Sequence, residues 1–494
     1  MLIWLDLENL IRHVESGHRP SGIQRVTFEL SASLVAAGGG AVRVCRHARA
    51  PHGFVELDWA DVEARLAALM TRDAPARREA PSPRERPEAA GALRRAFRRL
   101  PDEMRIPAHA VCQAEHEAAR GLRSAGAAQL KAMRGLAAVA AGGWRLAAAA
   151  VRLRVLPRRR DVRVPDAFAP PVAFAAGDVL LAIGATWPFP DYAARIDAAR
   201  RDGVRFAPFV YDLVPALFPE WSARSTTTGF RTWMETVLPQ ADRLFTISHA
   251  TRRALRDHAK RAGLPIPEAI PVPVGAHFPR KADPDAAPLH PRPYVLFVST
   301  IEPRKNHAGM LRLWREMIMQ EKPDLVPDLI LAGRIGWMSQ DFITQCENAG
   351  WLGGKLRLIE SPTDAELAIL YRDCLFTIYP SFYEGWGLPV TESLGFGKPV
   401  VASNTAAIPE AGGRFCIYFD PNDLGDARRA ISGLVRNPSR RAGLEADIAR
   451  NYRPPSWPDA ARLILDVLAD DAVDLPAAPA VISLPAPALS SPTG

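Results

Sequence analysis

The sequence predicts an α/β protein built from two doubly wound parallel sheets, and three observations carry that prediction. Short apolar runs recur along the chain with amphipathic helical stretches between them, the alternation expected of parallel strands covered by helices on both faces. The alternation occurs twice, and between the two series Leu264 to Pro293 is dense in proline and poor in either periodicity. At 494 residues the chain is long enough for two or more cores.

The elements follow in order. Met1-Leu-Ile-Trp-Leu-Asp6 is an apolar run that stops at Asp6; it has no cationic leader and falls short of a signal-peptide core, so a first β-strand is expected. Ile23, Val26, Phe28, Leu30 and Leu34 have helical spacing after Pro20-Ser21-Gly22, which predicts a glycine turn and a helix to Ala37. Val42 to Cys45 is a second strand. At about 74–160 the composition shifts to Arg, Ala, Pro and Glu, which marks a mainly helical or disordered insert. Strands at Asp178–Ile183, Phe206–Tyr211 and Arg243–Ser248, with a helix around Phe230 to Leu238, complete an N-terminal domain at 1–275. A linker at 276–293 leads to a C-terminal domain at 294–455. Its strands are Tyr294–Ser299, Asp328–Ala332, Leu356–Ile359, Leu375–Tyr379, Pro399–Ala402 and Cys416–Phe419. An amphipathic helix at 456–470 is free to return to the N-terminal domain, and the Pro/Ala/Ser-rich tail at 471–494 is expected to be disordered.

Composition narrows the function classes. The chain is 48% hydrophobic, 23% charged and 8% aromatic, the balance of an ordinary globular protein. Its net charge is +8, but residues 71–160 hold 20 Lys+Arg against 8 Asp+Glu, so the rest sums to −4. Basicity therefore belongs to the insert, which has only Phe97 and Trp144 as aromatics, and a nucleic-acid partner is not expected. Cys45, Cys112, Cys346, Cys374 and Cys416 are scattered and form no Cys-x-x-Cys pair, which argues for a reducing compartment without zinc. The apolar stretch Gly135–Leu153 is broken by Gly142, Gly143, Arg145 and Arg152, so no spanning helix and a cytoplasmic location are expected.

Chemistry concentrates in Ser381-Phe-Tyr-Glu384-Gly385-Trp386-Gly387-Leu388-Pro389-Val390-Thr391-Glu392 and the following Gly397-Lys398-Pro-Val-Val-Ala-Ser403. A strand, a glycine-punctuated turn and a helix with Pro389 in its first turn present backbone N–H groups and the positive end of a helix dipole, an anion site that Gly385 and Gly387 let a phosphate approach, with Leu388 also expected to bind the donor. Glu384 and Glu392 lie eight positions apart, and ionised carboxylates accept hydrogen bonds from the vicinal hydroxyls of a ribose or hexose. A sugar beside a diphosphate fits both features.

With these residues in view, the sequence resembles glycosyltransferase family 4, the retaining nucleotide-sugar enzymes of GT-B architecture, in which two Rossmann-like domains face each other across a cleft. The resemblance covers residues 1–50 and 175–470. It implies that Glu384 contacts the donor sugar and Glu392 the nucleotide ribose. Ser299-Thr-Ile-Glu-Pro-Arg304-Lys305-Asn306 matches the family segment that supplies the diphosphate-binding cation, Lys305, with Arg304 as a second contact. Gly333 and Arg334 fall in the loop near the base, and Gly22 and Arg25 in the glycine loop that closes over the donor phosphates. Where many relatives carry His-Asp, this chain has Tyr211-Asp212, so Asp212 or a main-chain carbonyl is expected to take part of the histidine's role.

The resemblance implies transfer of a hexose, with mannose preferred, from a nucleoside diphosphate sugar to a glycan or lipid-linked glycan in surface polysaccharide synthesis. A GT-B nucleotide-sugar epimerase and a non-catalytic sugar-nucleotide-binding protein are the alternatives. No metal or cofactor is expected, since Lys305 and a helix N-terminus can neutralise the leaving diphosphate; Asp283-Pro-Asp285 lies in the proline-rich linker and is a chance match to a metal pair. Trp187 and Trp337 are expected to pack, and His249 and His307 to be structural or solvated. In the insert, Arg94, Arg95, Arg98 and Arg99 surround Leu93, Phe97 and Leu100 at helical spacing. That pattern suits a peripheral contact with the anionic inner face of the cytoplasmic membrane.

Overall fold

A computed structural model describes residues 1–17, 22–47, 53–70, 170–275 and 282–469. The expected insert and tail lie outside the described residues. Two sheets organise the rest. The first contains β1 (Ile3–Asp6), β2 (Val42–His47), β3 (Phe54–Leu57), β4 (Val179–Ala182), β5 (Arg205–Val210), β6 (Leu244–Thr246) and β7 (Ala269–Pro271) in the order β3-β2-β1-β4-β5-β6-β7. All its pairs are parallel except β2–β3. The second contains β8 (Tyr294–Val298), β9 (Asp328–Gly333), β10 (Leu356–Glu360), β11 (Thr377–Tyr379), β12 (Val400–Ser403) and β13 (Cys416–Phe419), ordered β10-β9-β8-β11-β12-β13 and entirely parallel.

Inner strands of both sheets, such as β1, β4 and β12, are buried along their length and apolar but for terminal residues such as Asp6 and Ser403, as strands covered on two faces must be. This is the predicted two-domain GT-B architecture. Helix Ile23–Gly38 buries Val26, Leu30 and Leu34 against β1, and helix Trp457–Ala469 packs on the same core through Trp457, Ile464, Val467 and Leu468. The last helix thus lies on the first sheet's side of the molecule, and the Arg205 guanidinium donates to the Leu468 carbonyl at 3.1 Å.

Three elements depart from the sequence reading. Helix Glu8–Glu15 directly follows β1, where no helix was expected, and it buries only Leu10 and Ile11 of its apolar residues. β3 has four residues, too few for alternation to stand out, and it pairs antiparallel at the sheet edge. β7 lies inside the proline-dense stretch read as a connection; Pro271 is tolerated because β7 is an edge strand.

Candidate active site

Ligands in doubly wound sheets bind beyond the carboxyl ends of the strands where strand order reverses. In the second sheet that point lies between β8 and β11, and the loops leaving these two strands carry Arg304, Lys305 and Glu384. The chain leaves β8 through a 3₁₀ turn, Pro303–Lys305, and Asn306, at φ 62°, turns it into helix His307–Gln320. The Asn306 amide donates to the Pro421 carbonyl at 3.2 Å, so this side chain braces the turn.

The Lys305 ammonium is 2.5 Å from one Glu384 oxygen and donates to the Tyr379 hydroxyl at 3.1 Å. Arg304 reaches the other Glu384 oxygen at 2.6 Å, Glu302 at 2.7 Å and the Tyr383 carbonyl at 2.7 Å. Glu302, Lys305 and Glu384 are all buried. Burial alone would raise the Glu384 carboxyl, but Arg304 and Lys305 hold it at about 2. Burial and then the Arg304 charge lower Lys305, against the pull of Glu384. Asp212, partly buried beside this cluster, accepts from the Val214 amide at 2.9 Å; burial raises its carboxyl against the opposing Arg304 charge.

Glycine is required where the two domains touch. A Cβ on Gly385 would collide with the Tyr211 carbonyl oxygen, so this loop lies directly against the end of β5. Gly387, at φ 121°, caps helix Leu388–Gly395, with Leu388 and Pro389 in its first turn. Within that helix Glu392 is buried; Tyr371 donates to one of its oxygens at 2.9 Å and Arg25, from the N-terminal domain, to the other at 2.9 Å. Burial raises the Glu392 carboxyl, with Arg25 and Tyr371 opposing. Gly22, at φ 54°, caps the helix that carries Arg25.

Further contacts join loops of the first sheet to loops of the second. Glu410 accepts from the backbone N–H groups of His249 at 2.8 Å and Ala250 at 2.6 Å, the first residues of helix His249–Ala262. Trp221 stacks on Phe382, Phe218 packs on Tyr383, and the Trp337 indole donates to the Trp221 carbonyl at 2.8 Å.

The structure therefore brings together Arg304, Lys305, Glu384 and Asp212, and places Glu392 with Arg25. Gly333 ends β9 and Arg334 follows it; a Cβ on Gly333 would collide with the Ser299 carbonyl oxygen, and the Arg334 side chain is exposed. The Tyr211 side chain points into the N-terminal core, its hydroxyl donating to the Ile183 carbonyl at 2.6 Å and lying 3.2 Å from Thr27 Oγ1. The Tyr211 carbonyl accepts from the Thr251 hydroxyl at 3.2 Å and lies against Gly385. Trp187 packs edge-on against Phe230 and Trp233 as expected, whereas Trp337 is 48% exposed, with its indole bonded to the Trp221 carbonyl. His307 is buried, stacked on Phe297 and pushed down to about 3 by burial.

Sequence reasoning missed Glu302, Tyr371, Tyr379 and the cross-domain role of Glu410. Glu302 stands two residues before Arg304, so a carboxylate beside a buried cation was the available signal. Tyr371 comes from helix Asp364–Asp373 and Tyr379 from the end of β11, and nothing local marks either as a partner of the charged residues. Among the described residues no group of three or more His, Cys, Asp or Glu is placed to hold a metal ion, and no helix is long and apolar enough to cross a membrane. The four described cysteines are free.

Residues 280–451 match the family described as glycosyl transferases group 1. Over 164 residues the chain is 38% identical to the O-antigen chain mannosyltransferase B of Escherichia coli, a match covering 33% of this chain and 42% of that protein. Over 278 residues it is 27% identical to the serotype-specific mannosyltransferase WbdA of Escherichia coli, covering 53% of this chain and 34% of that one. The chain thus spans less than half the length of either relative. Among solved structures, Anabaena Alr3699/HepE in complex with UDP and glucose aligns over 59% of this chain and 77% of its own, with 18% identity and a TM-score of 0.46. The second domain, with its paired cations and two glutamates, is the part of this chain that is similar to glycosyl transferases group 1.

Proposed function

We propose that the protein is a retaining glycosyltransferase of family 4 that transfers a hexose, preferably mannose, from a nucleoside diphosphate sugar to a glycan or lipid-linked glycan in surface polysaccharide synthesis. The observation that carries this reading is the convergence of Arg304, Lys305 and Glu384 at the strand-order reversal of the second sheet, beside the start of the helix that bears Glu392. The mannosyl donor and the O-antigen setting draw support from the names of the two mannosyltransferase relatives.

In this reading the donor diphosphate lies against Lys305, Arg304 and the helix start at Gly387 and Leu388. Fixed positive charge then faces the negative charge that develops as the glycosidic bond breaks. Glu392 holds the ribose, Glu384 the sugar hydroxyls, and Gly22 with Arg25 closes the phosphate side. Gly333 and Arg334 border the base. The acceptor hydroxyl enters from the N-terminal domain near Asp212 and attacks the anomeric carbon on the face the diphosphate leaves, and the leaving phosphate oxygen takes its proton. This chemistry asks for no metal or cofactor. Work on a lipid-linked acceptor places the enzyme at the cytoplasmic face of the membrane, where the basic insert supplies the contact.

The test is a melting-temperature panel with GDP-, UDP- and dTDP-sugars. A nucleotide sugar that binds the folded state raises the melting temperature. GDP-mannose is expected to give the largest shift, and no shift with any of them rejects the reading.

A further inference from the structure

Glu384 does more than wait for a sugar: its carboxylate bonds both cations assigned to the diphosphate, at 2.5 Å from Lys305 and 2.6 Å from Arg304. Glu302 takes a further nitrogen of Arg304 at 2.7 Å. Two cations and two carboxylates cancel, and Asp212 beside them can only add negative charge. A diphosphate that approached this set would meet a buried carboxylate seated on the same nitrogens it needs, in surroundings where like charges repel strongly. Its binding therefore requires Glu384 to leave both cations. A buried carboxylate that loses two charged partners needs new donors, and the hydroxyls of a hexose supply them.

From this exchange we infer that Glu384 is an internal stand-in for the diphosphate, and that it makes the site distinguish an intact nucleotide sugar from the spent nucleoside diphosphate. The inference rests on the donor assignment above. An intact donor brings both halves of the exchange: phosphate oxygens for Arg304 and Lys305, and hydroxyls for Glu384. Once the sugar has been transferred the hydroxyls are gone. Glu384 then returns to the cations and displaces the diphosphate, so the same residue that orients the sugar drives product release.

Inorganic pyrophosphate tests the exchange without reference to sugar or base. By calorimetry, Glu384→Gln should bind pyrophosphate roughly tenfold more tightly than the unaltered protein, because two cations lose their internal partner. Glu384→Asp keeps the charge and should stay near the unaltered value. Glu302→Gln, which releases a single bond to Arg304, should gain less than Glu384→Gln. Equal gains in Glu384→Gln and Glu302→Gln would reduce the effect to net charge and overturn the inference. Unchanged or weaker binding by Glu384→Gln would overturn it too, while loss of pyrophosphate binding in Lys305→Ala would still uphold the diphosphate site. No binding by the unaltered protein or by Glu384→Gln at millimolar pyrophosphate would overturn both. The unaltered protein gives an independent check: the nucleotide sugar should bind about tenfold more tightly than its own nucleoside diphosphate, and equal affinities would refute the stand-in.

Discussion

Replacing Glu410 with Ala should open the cleft while leaving both domains folded. The Glu410 carboxylate, from the second domain, accepts two backbone hydrogen bonds, at 2.8 and 2.6 Å, from the start of helix His249–Ala262 in the first. Each charge-assisted bond contributes about 1.5 kcal/mol, and the positive helix end adds about 0.5 kcal/mol. The Arg253 contact, at 3.3 Å and half exposed on the arginine side, adds little. Water takes up part of the loss when the carboxylate is deleted, so about 1.5 to 3 kcal/mol should shift toward the open form, a factor of roughly 10 to 100. The helix keeps its own cap, since Ser248 accepts from the Thr251 amide at 3.0 Å, so the melting temperature should fall only slightly. Small-angle scattering should record a larger radius of gyration, and the Michaelis constant for donor should rise by a similar factor. Unchanged scattering and donor affinity would refute the latch, and so would global unfolding.

Three further outcomes follow from the site and the insert. Lys305→Ala should lower kcat by about 10²-fold in enzyme that is still folded, with a melting temperature lowered by loss of the buried Glu384 pairing, since in the proposed reading it removes a cation facing the leaving group; near-normal turnover at saturating donor would remove Lys305 from the chemistry. Glu384 holds its proton less tightly in the folded chain, at about 2, than in the unfolded chain. The stability it contributes is therefore complete above about pH 5 and drains away as the pH falls toward 2; urea unfolding between pH 7 and pH 3 should show a shallower loss in Glu384→Gln, and parallel curves would contradict the buried pairing. The basic insert should bind anionic but not neutral liposomes and release them as salt rises, and deletion of residues 74–160 should abolish sedimentation; equal binding with and without the segment would reject the membrane contact.

The fold was legible wherever burial is two-sided. Val179–Ala182 is an uninterrupted apolar run and Val400–Ser403 is apolar up to its last residue because helices cover both their faces. Edge strands were not legible: Phe54–Leu57 has half-buried positions and Ala269–Pro271 contains proline, so neither carries a strong pattern. At the candidate site, Arg304 and Lys305 stand in the turn that leaves a strand, Glu384 in a glycine-marked loop and Glu392 in the helix that follows it, which made their residue types visible. Their tyrosine partners were not, because Tyr371 and Tyr379 reach them through tertiary packing; Arg25 was visible as a site residue, but its pairing with Glu392 was not. Tyr211 stands where many relatives carry a histidine, and its hydroxyl lies between Ile183 and Thr27 in the core, in keeping with the histidine's role not passing to its side chain.

The central claim is sugar transfer with retention, and the anomeric configuration of the product tests it most directly. The full chain would be incubated with GDP-mannose and a mannosyl-lipid acceptor, and the coupling at the anomeric carbon of the new linkage read by NMR. The account predicts a mannoside with the α configuration of the donor. A β-linked product would contradict retention, and free mannose or an epimerised nucleotide sugar in place of a glycoside would contradict the transfer itself.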